Sequence, residues 1–316
     1  MPAPRVLFVK LSSLGDVVHH MPAVTDLARA RPGMHIAWAV EEAYAGLVRL
    51  HPAVAETFPV GLRSLRKGML RAAHWSRLAA TRGAIGRAGW DFVVDTQGLV
   101  KSAVVSRFAR APSFGLDKAS ARERAAARFY DVKLAVPRRM HAVERNRSLV
   151  AQVFGYRVES PADYGLAPPA QPPAWAPPGA YTVFLHAASR ASKRWPDEHW
   201  IALAQAANDA GLDVVLPGGT PDERAASERL AKRMARATPA PAMGLAEAAA
   251  LLAHARCVAG VDTGLTHLAA AFGVPTVGIY VSTEPELTGL HASNAVNVGG
   301  AGRVPSLDEV LGAFNA

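Results

Sequence analysis

Residues 5–30 read "RVLFVKLSSLGDVVHHMPAVTDLARA". Val6 to Val9 are apolar without a break, which suits a strand buried on both faces of a parallel sheet. Ser12, Ser13 and Gly15 then form a turn, and a helix-like run starts near Asp16 and continues through "VVHHMPAVTDLARARPG". Gly15 tolerates the tight or left-handed backbone that such a turn can require. Strand, polar turn, helix is the opening unit of an open α/β fold.

The same alternation recurs outward from this unit. "HIAWAV" and "DFVVDTQG" read as further strands in the first half. "YTVFLHA", "DVVLPGG", "RCVAGVDTG" and "PTVGIYVS" do so in the second. Helical patterns lie between them, including "EHWIALAQAANDAG", "PDERAASERLAKRMA", "LAEAAALLAHAR" and "GLTHLAAAFG". The stretch "GLAPPAQPPAWAPPGAY", residues 165–181, is too proline-rich to continue a helix or a strand. It predicts two Rossmann-like α/β domains with parallel sheets, 1–165 and 181–316, joined by a linker at 166–180 and facing a cleft. Whether the last helix, "SLDEVLGAFNA", packs back on the first domain is open from the sequence.

Composition narrows the class. The chain has 316 residues, half of them hydrophobic, so a sizeable core is expected and disorder is not. Cys257 is the only cysteine, which excludes an internal disulfide and fits a reducing compartment. No apolar run approaches the roughly 20 residues that span a bilayer, and the apolar N-terminal stretch is too short for a signal peptide. A cytoplasmic protein is expected. The formal net charge of +9 favours a polyanionic partner: nucleic acid, an anionic membrane or a phosphorylated substrate.

In open α/β sheets ligands bind beyond the carboxyl ends of the strands, so the strand-to-helix turns carry the functional expectation. In "KLSSLGD", Asp16 has two readings from spacing alone. It is a helix cap, worth about 0.5–2 kcal/mol, or a carboxylate presented at the cleft. The turn has neither G-x-G-x-x-G nor the lysine–hydroxyl pair of a P-loop. In "FLHAASRASKRWPDEHW", Lys193 is a point charge suited to a diphosphate, or part of a solvated basic loop. In "VVLPGGTPDERAASERLA", Glu223 either complements the helix dipole or accepts from ribose hydroxyls. In "VAGVDTGLTHLAAAFGVP", Asp262, Thr263 and Gly264 open a helix that carries His267 one turn in. Amides at such an N-terminus suit a phosphate. D-T-G also occurs in aspartic proteases, but those need paired acids on β-loops, and here a helix follows with no second copy. There is no D-x-D, no H-E-x-x-H and no cysteine cluster, so no metal is expected.

Basic residues cluster in the first half. "RSLRKGMLRAAHWSRLAATRG" supplies Arg63, Arg66, Lys67, Arg71, Arg77 and Arg82, and "SARERAAARFYDVK" supplies Arg122, Arg124, Arg128 and Lys133. An ordinary solvated helix face is one reading. An anionic partner docking on the first domain is the other.

Taken together, "VKLSSLGDVVHHMPAVTD", "WAVEE", "VVDTQGLVKSA", "MHAVERNR", "FLHAASRASKRWPDEHW" and "VDTGLTHLAAAFGVP" resemble the lipopolysaccharide heptosyltransferases. These are family-9 glycosyltransferases with the GT-B fold. "KLSSLGDVVH", "VEE" and "HAVER" look like type I rather than type II. The resemblance covers essentially the whole chain. It implies inverting, metal-free transfer of heptose from ADP-L-glycero-β-D-manno-heptose to the first Kdo of Kdo2-lipid A. That reaction would run at the cytoplasmic face of the inner membrane, with no cofactor and no nucleic acid. It further implies that Asp16 is the general base and that Lys193 contacts the donor diphosphate. Glu223 would bind ribose, and Met243 would lie beside adenine. Ala188, Ser189, Asp262, Thr263, Gly264 and His267 would complete the donor site. Lys10, Ser12, Ser13, Arg63, Arg66 and Arg122 fall where acceptor contacts are expected. Two positions depart from the pattern: Ala188 stands where a hydroxyl residue is common, and Ser64 where a further arginine often lies. The alternatives are a type II or related enzyme with another acceptor, and a non-catalytic basic protein that binds nucleic acid or a membrane surface.

Overall fold

The computed structural model describes residues 3–62, 72–188 and 190–315. It divides into two compact units, Met1–Ala167 and Pro168–Ala316.

The first unit runs β1 (Arg5–Val9), α1 (Leu14–Val18), α2 (Met21–Ala30), β2 (His35–Glu41), α3 (Ala45–Val48), β3 (Val54–Val60), α4 (Ala72–Arg87) and β4 (Phe92–Asp95). It continues through α5 (Val100–Ser106), β5 (Ser113–Leu116), β6 (Val132–Leu134) and α6 (Ala142–Phe154). The six strands form a parallel sheet in the order β3-β2-β1-β4-β5-β6. Strand β1 is central: Phe8 pairs with Trp38 on one side and Val94 on the other. Its side chains are fully buried from Val6 to Val9, as an unbroken apolar run requires. Leu7, Val9, Ala37, Ala39, Val93, Ile85 and Trp90 build one core layer.

The helix expected after Asp16 is in fact two. The chain turns at His19 and His20 between α1 and α2, with Pro22 in the first turn of α2. Proline has no N–H to give and its ring crowds the carbonyl four residues back, so α1 cannot run through it.

The second unit runs β7 (Tyr181–Leu185), α7 (Asp197–Asp209), β8 (Asp213–Leu216), α8 (Pro221–Ala231), β9 (Ala237–Pro239) and α9 (Leu245–Ala253). It continues through β10 (Cys257–Val261), α10 (Gly264–Ala271), β11 (Thr276–Tyr280), α11 (Pro285–Thr288), β12 (Ala295–Gly299) and α12 (Leu307–Phe314). Its sheet is also wholly parallel, ordered β12-β11-β10-β7-β8-β9. Read by position within each unit, both sheets share the doubly wound order 3-2-1-4-5-6. The last helix, α12, packs on α7 and β11, and its Val310 is fully buried in this unit's core. Its N-terminus is tied down where Trp195 Nε1 donates to Pro305 O at 3.0 Å.

Candidate active site

A doubly wound sheet opens a crevice where the strand order reverses, at the carboxyl ends of its two central strands. In the first unit this point lies between β1 and β4; in the second, between β7 and β10. The turns singled out in the sequence follow β1, β7 and β10 of these strands, and one follows β8, beside β7.

In the first unit the loops after β1 and β4 are sewn together. Gln97 Oε1 accepts from Leu11 N at 2.7 Å, and Gln97 Nε2 donates to Ser12 O at 2.6 Å. Asp95, at the end of β4, fixes Gln97 in turn: its Oδ1 accepts from Gln97 N and Gly98 N, and its Oδ2 from Tyr130 Oη at 2.7 Å. Burial pushes the Asp95 carboxyl up in pKa, against the hydrogen bonds that favour its anion. Ser12 Oγ accepts from Lys101 Nζ at 3.1 Å. Ser13 N and Ser13 Oγ both donate to Asp16 Oδ2, at 2.7 and 3.0 Å, in a capping box that opens α1. The Ser12–Ser13 peptide is cis.

Lys10 lies beneath this turn. Its ammonium is buried and donates to Thr96 O at 2.9 Å and Asn146 Oδ1 at 3.2 Å. Burial lowers its pKa, while the nearby charges of Asp16 and Asp95 oppose that shift. Arg122 is exposed. The next residue anchors it to the loop after β4, where Glu123 N donates to Gly98 O at 3.0 Å. Gly98 has φ +67°, and an added Cβ would meet Arg122 N at 3.4 Å. That left-handed backbone favours glycine. Lys10, Ser12, Ser13, Asp16 and Arg122 are therefore gathered around one strand-end region. Arg63, Arg66 and Ser64 lie outside the described residues.

In the second unit four adjacent strands, β11, β10, β7 and β8, each end in a loop that supplies a polar side chain. Lys193, after β7, donates to Asp262 Oδ2, after β10, at 2.5 Å. Thr283 Oγ1, after β11, donates to the same oxygen at 2.8 Å. His267 Nε2 lies 3.5 Å from Asp262 Oδ1. Burial would raise the Asp262 carboxyl, but hydrogen bonds from His267, Lys193 and Thr283 outweigh it and hold the group well below the usual carboxylate range. Thr263 caps α10, and Gly264 is its first residue.

Glu223, after β8, closes a second capping box. Its Oε2 accepts from Gly219 N and Thr220 N at 2.9 and 3.0 Å, while Glu223 N donates to Thr220 Oγ1. Gly218 is required beside it, because a Cβ there would stand 2.5 Å from Arg224 N. Met243 is half-buried in the turn before α9. Ala188 is only 4% exposed and its methyl belongs to the core with Trp195 and Trp200, so a polar contact at this position falls to its backbone. Ser189 lies outside the described residues.

Gln97, Lys101 and Thr283 were not singled out as site residues in the sequence. Gln97 and Lys101 act across more than eighty residues, and no local pattern marks such partners. Among the described residues, no group of His, Cys, Asp and Glu is arranged to hold a metal ion, and no helix is long and apolar enough to cross a membrane.

Two parallel doubly wound units with polar groups at their strand ends define the GT-B class of glycosyltransferase folds. The solved E. coli heptosyltransferase WaaC with ADP matches at a TM-score of 0.90 and 38% identity, covering 98% of this chain and 99% of that one. The same enzyme with ADP-2-deoxy-2-fluoro heptose matches at 0.85, covering 98% of each chain. Lipopolysaccharide heptosyltransferase 1 of Pseudomonas aeruginosa is 44% identical over 301 residues, which is 93% of this chain and 83% of that protein. Residues 78–310 match the model of glycosyltransferase family 9 (heptosyltransferase). The chain belongs to glycosyltransferase family 9.

Proposed function

We propose that this enzyme transfers L-glycero-D-manno-heptose, with inversion and without a metal, from ADP-L-glycero-β-D-manno-heptose to the first Kdo of Kdo2-lipid A. The observation that carries the donor reading is the row Thr283, Asp262, Lys193, Glu223 on four adjacent strand ends, in a unit whose relative was solved with ADP. Lys193 meets the diphosphate, and the amides at the start of α10 add to its positive field. Glu223 uses Oε2 for its cap, which leaves Oε1 open to accept from the ribose hydroxyls. Met243 lies beside adenine. His267, Thr263, Gly264, Ala188 and Ser189 complete the donor site.

The first unit takes the acceptor. Ser12, Ser13, Arg122, Arg63 and Arg66 meet its carboxylates and phosphates, with Lys10 as a buried charge under the turn. The capping bonds of Asp16 fall on Oδ2, so Oδ1 takes the proton of the attacking hydroxyl. That hydroxyl displaces ADP from the opposite face of the anomeric carbon. Asp16 thus removes one proton as the new bond forms, and Lys193 offsets the negative charge gathering on the leaving diphosphate.

The acceptor is embedded in a membrane, which places the enzyme on the cytoplasmic surface of the inner membrane as a peripheral protein. Charge supports that location: α4 has no acidic residue and carries Arg77, Arg82 and Arg87. The test is incubation with ADP-heptose and Kdo2-lipid A in the presence of a chelator. Equimolar ADP and mono-heptosylated lipid are expected. Turnover only on an already heptosylated acceptor would assign the type II reaction instead, and no turnover on either would overturn the proposal.

A further inference from the structure

We infer that Thr283 is a positioning residue for the donor site, holding the Asp262 carboxylate so that Lys193 is free to turn to a diphosphate. This rests on the donor reading above. Three donors converge on Asp262: Lys193 and Thr283 on Oδ2, with His267 Nε2 facing Oδ1. Of these, Thr283 is the hydroxyl, and it comes from a third loop, after β11. That loop is anchored at its β11 end, and the segment through α11 closes back on the same Tyr280. Gly300 N donates to Tyr280 O at 2.9 Å, and Leu290 N donates to the Tyr280 hydroxyl at 3.0 Å. Thr283 therefore reaches Asp262 from a braced turn between β11 and α11.

The chemistry follows from what Asp262 loses when ADP arrives. Its carboxylate is 13% exposed, so water alone satisfies it poorly. Lys193 is 20% exposed, on a long flexible stem, and is the cation a diphosphate attracts. As the ammonium shifts toward phosphate, Asp262 stays anionic and keeps the Thr283 hydroxyl as a donor on the same oxygen. A neutral donor stabilises the carboxylate without competing for the phosphate. Without it, Asp262 holds Lys193 more tightly and the diphosphate must displace a stronger pair.

The test uses Thr283→Val, which keeps the shape and removes the hydroxyl, and Thr283→Ser, which restores it. ADP affinity is read by calorimetry. The acid titration of Asp262 is read from its carboxyl carbon resonance, assigned with Asp262→Asn. Thr283→Val is expected to weaken ADP about tenfold, the scale of one hydrogen bond to a charged group. It is also expected to move the Asp262 titration to higher pH, while Thr283→Ser stays near wild type in both. An unchanged titration in Thr283→Val overturns the inference, as does a Thr283→Ser variant as impaired as the valine. If the wild-type protein itself does not bind ADP, the donor reading fails, and the Asp262 titration still decides the role of Thr283.

Discussion

The amide and the hydroxyl of Ser13 both donate to a single oxygen of Asp16, Oδ2. The residue thus caps a helix and presents a carboxylate at the end of the central strand at once. Asn at this position keeps an oxygen for the cap but cannot take a proton. Asp16→Asn should lower kcat by roughly 10²–10⁴-fold, the usual worth of a general base. ADP affinity, proposed to rest on the second unit, should stay as in wild type. Steady-state rates and calorimetry on one preparation check both statements, and near-normal turnover would remove Asp16 from the chemistry.

Lys193 gives a complementary result. Lys193→Ala should weaken ADP by roughly 10- to 100-fold, the range for losing a charged hydrogen bond. It also leaves the half-buried Asp262 without its cation, so the melting temperature should fall. Lys193→Met combined with Asp262→Asn should recover the melting temperature and not the ADP affinity. Recovery of both would mean that Lys193 serves stability alone.

The central architecture was legible because its strands are continuous apolar runs. β1, β2, β4, β7, β8, β10 and β11 all appear as such in the sequence, and the turns after them carry the candidate site. β3, β6, β9 and β12 went unread because they are sheet edges. An edge strand needs no unbroken apolar run: β3 carries Glu56 and Pro59, and Val132 of β6 is 40% exposed. β5 is interior but only four residues long, and its Gly115 makes room for the Tyr130 ring, which an added Cβ would meet at 2.4 Å. Lys10 was placed among the acceptor contacts by the family resemblance alone. Its burial depends on Asn146, 136 residues away, which no local pattern reveals. The same holds for "MHAVERNR", legible as a motif but not as packing: Asn146 also donates to His19 O, bracing the bend between α1 and α2.

Histidine burial sets a pH dependence of stability. Burial lowers His186 to about 4 from an ordinary 6.5, and its Nε2 lies 2.9 Å from Ser227 Oγ. His51 is likewise lowered to about 4. The unfolded chain binds these protons near pH 6.5, whereas the folded chain binds them only near 4. Stability is therefore complete above the unfolded value and falls as pH drops between the two. At pH 5 each histidine should cost about 2 kcal/mol relative to pH 8. Urea melts across this range check the slope, and His186→Asn should flatten it. A slope unchanged by that substitution would assign the acid sensitivity to other groups.

Arg147 makes the strongest stability prediction. Its guanidinium is 2% exposed and holds both oxygens of Asp26 on α2, through Nε at 2.7 Å and Nη2 at 3.3 Å. The same group reaches Glu144 Oε1 and Ser160 O, so it joins α6, α2 and the segment that follows α6. Arg147→Ala removes the cation and leaves Asp26 buried at 7% exposure. Breaking such a pair costs about 3–5 kcal/mol, and the urea midpoint of the first unit should drop accordingly. Arg147→Lys should rescue little, because one ammonium cannot match two carboxylate oxygens and Ser160 O together. Arg147→Met with Asp26→Leu should recover most of the loss, since both charges leave the core at once. ADP affinity should be the same in all three variants, which separates a packing effect from damage to the proposed donor site. A single arginine variant as stable as wild type would show that water or a neighbouring base satisfies Asp26 unaided.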